Sequence, residues 1–251
     1  MNHFTCLLKH ELRALFIAPS TYVTGVIFLL LMGFIYILIL ADFTLQPHDN
    51  LPTEYFFQLY WIPVFFIVPL LTMKSIAEER RMGTLETLMT TPVTATEIIF
   101  SKFLAAYLFY CLLWMLTLGF PLLVNLTVGS SAMTVRLLDP ATLLGGYIFV
   151  AISGLLFISV GIFSSSLTRS QLVAGMLCFS ILFIIILGVP AVKTQSIGWF
   201  EWLEGALEYF NNFKHLEDFS RGVIDTRHIV FYFSYTTLVL GVSVLITESK
   251  V

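Results

Sequence analysis

STYVTGVIFLLLMGFIYILILA, residues 20–41, has no charged side chain over its whole length. A helix needs about 20 consecutive apolar residues to cross the hydrocarbon core of a bilayer. A cytosolic core helix has no reason to be apolar on every face, because one face must meet water. This stretch is therefore expected to span a membrane, and five more stretches read the same way. They are residues 56–73, with Pro63 and Pro69 expected to kink the helix, 98–124, 141–167, 171–192 and 229–247. The middles of all six lack Asp, Glu, Lys and Arg, each of which costs about 2.5–3.5 kcal/mol at a helix centre on the insertion scale. Lys102, the one charge in the third run, sits near its start and is expected to snorkel into the head groups.

Composition agrees with this reading. The 251-residue chain is 58% hydrophobic and 12% charged, about half the charged fraction of a soluble domain. A net charge of −3 excludes the basic stripe of a nucleic-acid binder. Cys6, Cys111 and Cys178 have no metal-ligand spacing and read as free thiols. The first span is too long for a signal-peptide core, and no small-x-small site follows near Ala41, so it is expected to be retained.

Orientation follows from the basic residues. Lys9, Arg13, Lys74, Arg80, Arg81, Lys102, Arg169 and Lys250 fall on one side of the six spans. Arg136, Lys193, Lys214, Arg221 and Arg227 fall on the other, four of the five within one long segment. Short basic loops stay in the cytoplasm, which puts both termini there. Before the first span, Phe4, Leu7, Leu8, Leu12, Leu15 and Phe16 recur at helical spacing opposite Lys9, His10 and Arg13, as in an amphipathic helix lying in the interface and ending at Pro19. Residues 42–54 form a short polar external loop. Residues 193–228 interleave Trp199, Trp202, Leu203, Phe210 and Phe213 with polar residues, which predicts one or two external interfacial helices. Glu201, Glu204 and Glu208 share a face there and read as solvated rather than as a calcium site, which needs six to eight oxygens. Gly25, Gly33, Gly154 and Gly161 are expected to allow close helix packing.

The densest charge lies in residues 74–102, KSIAEERRMGTLETLMTTPVTATEIIFSK. Ser75 with Glu78 fits a capping box, Gly83 a helix stop, and Thr84 a cap for a second short helix over 85–90 that Pro92 closes. Thr94 with Glu97 makes a further capping box for the third span. Two short helices joined at Gly83 form a stiff elbow that would present Arg80, Arg81 and Glu86 to a partner.

This elbow resembles the signature of permeases of the type-2 ATP-binding-cassette (ABC-2) exporter family, at Glu78, Glu79, Arg80, Gly83, Thr84, Leu85, Glu86, Pro92, Glu97 and Lys102. HLEDFSRGVIDTRHIVFYFS (215–234) and KHELRALFIAPSTYV (9–23) are similar to the gliding-motility and nitrous-oxide-reductase-maturation branch. The resemblance implies an all-α integral membrane protein: one permease domain over 1–251, with six transmembrane helices, an N-terminal interfacial helix, a cytoplasmic coupling helix between spans two and three, and external interfacial helices between spans five and six. It also implies an inner-membrane location, a separate ATPase subunit that carries ATP and magnesium, and a second copy or a related permease as dimer partner, all surrounded by membrane lipid. Glu78, Glu79, Arg80, Arg81, Gly83, Thr84 and Glu86 would form or position the contact with the ATPase, braced by the amphipathic helix. The chain itself is expected to bind no cofactor or metal and to catalyse no reaction. It has no Gly-Lys pair for a phosphate-binding loop. A secondary transporter would place ionisable residues at the midplane, and an intramembrane enzyme would need a catalytic set that the spans lack.

Overall fold

The computed structural model describes residues 3–45, 51–89, 93–128, 139–188, 211–221 and 225–249. Among these residues every regular element is helical. The helices are α1 (His3–Ile17), α2 (Pro19–Leu45), α3 (Pro52–Gln58), α4 (Trp61–Thr72), α5 (Ala77–Met82), α6 (Thr84–Met89), α7 (Ala95–Leu116), α8 (Gly119–Val128), α9 (Pro140–Leu167), α10 (Gln171–Phe183), α11 (Asn212–Ser220) and α12 (Thr226–Ser249). A π-helical turn, Ile184–Gly188, prolongs α10. Six segments are long and apolar enough to cross a membrane: Pro19–Phe43, Trp61–Met82, Ala95–Thr127, Pro140–Leu167, Gln171–Gly188 and Thr226–Ser249. The six spans read from the sequence thus correspond to six apolar segments.

Prolines set the internal breaks. Residues 56–73 are not one kinked helix but α3 and α4, parted by a turn at Leu59–Tyr60. Pro63 has no N–H to give the Leu59 carbonyl, and its ring crowds that oxygen; Ile62 N donates to it instead, at 3.2 Å. The third span repeats the device. Pro121 cannot serve the Thr117 carbonyl, Phe120 N does so at 3.1 Å, and α7 gives way to α8.

Span four, α9, lies at the centre of the bundle and touches α3, α4, α5, α7, α10, α11 and α12. Small residues make that possible. A Cβ on Gly154 would meet the Tyr110 ring of α7, and one on Gly161 would meet Thr72 of α4, so the expected packing face is real. Buried hydroxyls have no water to turn to and bond back to their own helices. Thr72 Oγ1 donates to Val68 O at 2.7 Å, Ser159 Oγ to Leu156 O at 2.7 Å and Ser243 Oγ to Val239 O at 2.8 Å. The outward faces of α2, α10 and α12 carry exposed apolar side chains such as Leu30, Met176 and Phe233, which suit lipid.

The end of the bundle away from α1 is closed by α11. Of the external segment read as interfacial helices, residues 189–210, with Trp199, Trp202, Leu203, Phe210 and the three glutamates, lie outside the described residues; α11 is the helix that is described. Asn211 Oδ1 caps it by accepting from Lys214 N, and Asn212 Nδ2 donates to Ile185 O in the π-turn at 3.4 Å. Tyr232 of α12 donates its hydroxyl proton to Asn212 Oδ1 at 2.6 Å, so its oxygen accepts from His215 Nδ1 at 3.3 Å. The His215 ring lies 3.8 Å, centroid to centroid, from that of His228, whose Nε2 faces Asp218 Oδ2 at 3.4 Å. Burial, then the neighbouring His228, lowers the His215 pKa from 6.5 to about 4, with Lys214 adding to the fall and Asp218 and Asp225 opposing it. Because the folded form resists the proton, the docking of α11 is fully present above pH 6.5, weakens as pH falls from 6.5 toward 4, and levels off below that. Hydrogen exchange should read this as a rise of at least about tenfold in the amides of α11 between pH 7 and pH 4.5, after correction for intrinsic rates.

Candidate functional site

The elbow between spans two and three forms, but neither short helix starts as its residues suggest: Ser75 does not cap the first, and Thr84 is the first residue of the second rather than its cap. Gly83 adopts φ 70°, ψ 7°, a left-handed conformation open to glycine and strained for most other residues. Its N–H turns back onto the Arg80 and Glu79 carbonyls. Thr84 begins α6 and donates its hydroxyl to Glu79 O at 3.3 Å. The Thr94–Glu97 capping box forms in both directions.

The Ser75–Glu78 box does not form. Ile76 is the N-cap and supplies no side-chain bond. The free amides of α5 are met from span four: Ser165 Oγ accepts from Ile76 N and Ala77 N, each at 3.0 Å, and donates to Met73 O at 3.3 Å. A side chain 88 positions away thus caps the elbow, and it fixes α5 on the end of α9. Ser165→Ala should cost about 1–2 kcal/mol of stability, measured as a fall in the thermal midpoint of the purified protein, with cleavage by added protease concentrated at the elbow.

The charged residues divide into an inner and an outer set. Arg80 was expected to face a partner, but it points inward. Its guanidinium donates to Ser166 O and, at 3.4 Å, to Ile246 O, the last turns of α9 and α12. Carbonyls at helix ends are unpaired and carry partial negative charge, so a cation belongs there. Glu79 also faces inward, with Oε1 2.7 Å from Lys102 Nζ. Lys102 does not snorkel. It is 4% exposed and bonds a second carboxylate, Glu11 of α1, also at 2.7 Å. This Glu11–Lys102–Glu79 triad ties the N-terminal helix and the elbow to the first turns of span three. Glu79 Oε2 is buried with no hydrogen-bond partner among the described residues.

Leu85 completes the attachment by entering the core at 2% exposure. What remains outside is the tip, Arg81, Met82, Gly83 and Thr84, all exposed, with Met82 at 65%, and Thr87 farther along α6. Glu78 is half-buried. The side chain of Glu86 lies outside what is described, though its backbone belongs to α6. Glu11 and Ser165 are not singled out by the sequence, and Lys102 is read there as snorkelling rather than as paired. A lone lysine in an apolar helix was the available signal, since a charge there needs a partner.

A multi-pass helical membrane protein with a rigid polar elbow at one face of its bundle is the class this architecture defines. The sequence pattern of the ABC-2 family transporter proteins matches residues 5–201, and the chain belongs to that family. Its members are membrane components of transporters that work with an ATP-binding subunit. A search of curated proteins found no match to the chain.

Proposed function

We propose that this chain is the membrane-spanning permease subunit of an ATP-binding-cassette exporter, and that the tip of the α5–α6 elbow is where a separate ATPase subunit grips it. The observation that carries the reading is the division of the elbow. Its inner side is bonded to α7, α9 and α12 through Glu79, Arg80 and Ser165, and reaches α1 through Lys102, which Glu79 shares with Glu11, while Arg81, Met82, Gly83 and Thr84 remain open. Glu78 flanks that tip and Glu86 follows it on α6. A push on such a joint reaches four helices at once, which is what nucleotide-driven closure needs in order to move the spans as rigid bodies.

In this reading ATP and magnesium sit on the ATPase subunit, and this chain binds no cofactor. The basic residues around the elbow support a cytoplasmic elbow with both termini on the same side, and the family resemblance supports the inner membrane. The permease works as a dimer with a second copy or a related permease, as one domain over residues 1–251. The stretches at 9–23 and 215–234 support the gliding-motility and nitrous-oxide-reductase-maturation branch. The uncharged spans favour an amphipathic or lipid-linked cargo moved outward.

The test is co-expression with candidate ATPase subunits, followed by ATPase assays of the complex in lipid. Arg81→Glu and Glu86→Arg are each expected to lower complex yield or transport-coupled hydrolysis about tenfold or more, as removal of desolvated interface charges does. Unchanged assembly and hydrolysis in both variants would overturn the assignment of the tip. Uptake driven by an ion gradient without ATP would overturn the class.

A further inference from the structure

We propose that the cavity beneath the elbow binds the head group of a zwitterionic phospholipid that carries a primary ammonium, with its phosphate at Lys74 and its ammonium at Glu78. The cavity, about 260 Å³, opens between α1, α2, α4–α5 and α7. Its charged side is formed by Glu11, Lys74, Glu78, Glu79 and Lys102, and its other walls by serine and threonine hydroxyls of α2 and the α4–α5 turn and by alanine and leucine side chains of α1, α4 and α7.

Charge arithmetic on that lining gives three carboxylates against two ammoniums. Lys102 is committed to Glu11 and Glu79. Lys74 and Glu78 are left. They stand four residues apart, Lys74 in the turn between α4 and α5 and Glu78 in the first turn of α5, and among the described residues they form no ion pair. Lys74 Nζ instead reaches the neutral Ser20 Oγ at 3.3 Å. A cation and an anion held apart on one rim are the complement of a ligand that carries phosphate and ammonium a short distance apart. The buried, unpartnered Glu79 Oε2 keeps the local field negative, which favours the ammonium and disfavours an anionic lipid.

Depth favours a lipid over a free small zwitterion. Ser20 opens span one, Lys74 ends the apolar part of span two and Lys102 lies in the second turn of span three. The cavity therefore sits where three spans leave the hydrocarbon, at the level of the head groups, and its apolar walls continue toward the acyl region. A primary ammonium offers N–H donors to Glu78, and charge-assisted bonds of that kind are the strong ones. A choline head offers none, and a glycerol head lacks the cation. The leaflet is the cytoplasmic one if the orientation proposed above holds.

The experiment uses the purified full-length chain, titrated in detergent with phosphatidylethanolamine, phosphatidylcholine and phosphatidylglycerol of identical acyl chains, and read by native mass spectrometry. The ethanolamine lipid is expected to be retained about tenfold better than either other lipid, the worth of one charge-assisted hydrogen bond. Lys74→Gln and Glu78→Gln should each abolish that preference while leaving the thermal midpoint in place. Should either variant fail to fold, a photoreactive phosphatidylethanolamine on the unmodified protein decides: labelling is expected within residues 9–24 and 70–79, and labelling spread evenly over the spans overturns the site. Equal retention of the three lipids, or a preference that survives both substitutions, also overturns it. None of these readouts involves the ATPase, so a failed lipid site with intact ATPase coupling leaves the functional reading standing, and the reverse holds as well.

Discussion

Lys102→Met will destabilise the protein by about 3–5 kcal/mol, the usual consequence of removing one partner from a buried ion pair. The triad carries two carboxylates and one ammonium, all within 2.7 Å contacts. Without the lysine, Glu11 and Glu79 face each other across an apolar side chain, and Glu79 already holds one oxygen without a partner. Either α1 swings away from α7 or the elbow lifts from its seat, and both outcomes release the brace. Glu11→Gln should behave very differently. It leaves a neutral Lys102–Glu79 pair and relieves the excess negative charge, so its effect is expected within about 1 kcal/mol. Adding Glu11→Gln and Glu79→Gln to Lys102→Met should recover most of the lost stability, because polar amides tolerate burial where bare carboxylates do not. Thermal unfolding in detergent separates these cases. A Lys102→Met protein that melts with the parent would show that the triad holds nothing together.

How much of this was legible follows from the range of each interaction. Gly83 and the Thr94–Glu97 box involve residues within a few positions of each other, and both form as read. The Ser75–Glu78 box is equally local, but a distant hydroxyl, Ser165, takes the same amides. No local pattern announces that competition. Lys102 shows the same limit: snorkelling is the default for a lysine near a helix start, and it is overridden here because α1 and α5 each bring a carboxylate to it. Arg80 reads from the elbow's shape and the family signature as part of a partner contact, whereas two helix ends from spans four and six claim its side chain. Kinks were expected at Pro63, but a missing N–H three residues into a new helix ends the old one. The positions of the six spans needed only hydropathy and are correspondingly the part read most completely, apart from ends such as Leu45, four residues beyond the expected end of span one.

Gly145→Ala carries the other large effect, at the opposite end of the bundle. An added Cβ there would lie 1.9 Å from the Phe219 carbonyl oxygen and 2.8 Å from its carbon. Both atoms are backbone of α11, so no rotamer change relieves the clash and the helix must move bodily. Overpacking of this sort costs about 1–3 kcal/mol, and the cost falls on the docking of α11 against α9 rather than on the spans. Two other glycines calibrate the result. Gly33→Ala, inside α2, meets only the Phe120 ring edge at 3.5 Å, an ordinary contact, and should gain about 0.5–1 kcal/mol from helix propensity. Gly241→Ala, inside α12 with nothing within 4 Å, should stabilise by about 0.5–1 kcal/mol through helix propensity. Hydrogen exchange distinguishes displaced α11 from general loosening: fast exchange confined to residues 212–220 is expected in Gly145→Ala, with the spans protected. The same variant also tests the histidine pair. Once α11 has left its seat, His215 is no longer buried against Tyr232 and His228, its proton affinity returns toward the ordinary value, and the acid-induced rise in exchange should shrink or vanish. A Gly145→Ala protein that keeps both slow exchange at neutral pH and the full acid response would mean that α11 is held by contacts other than the close approach at Gly145.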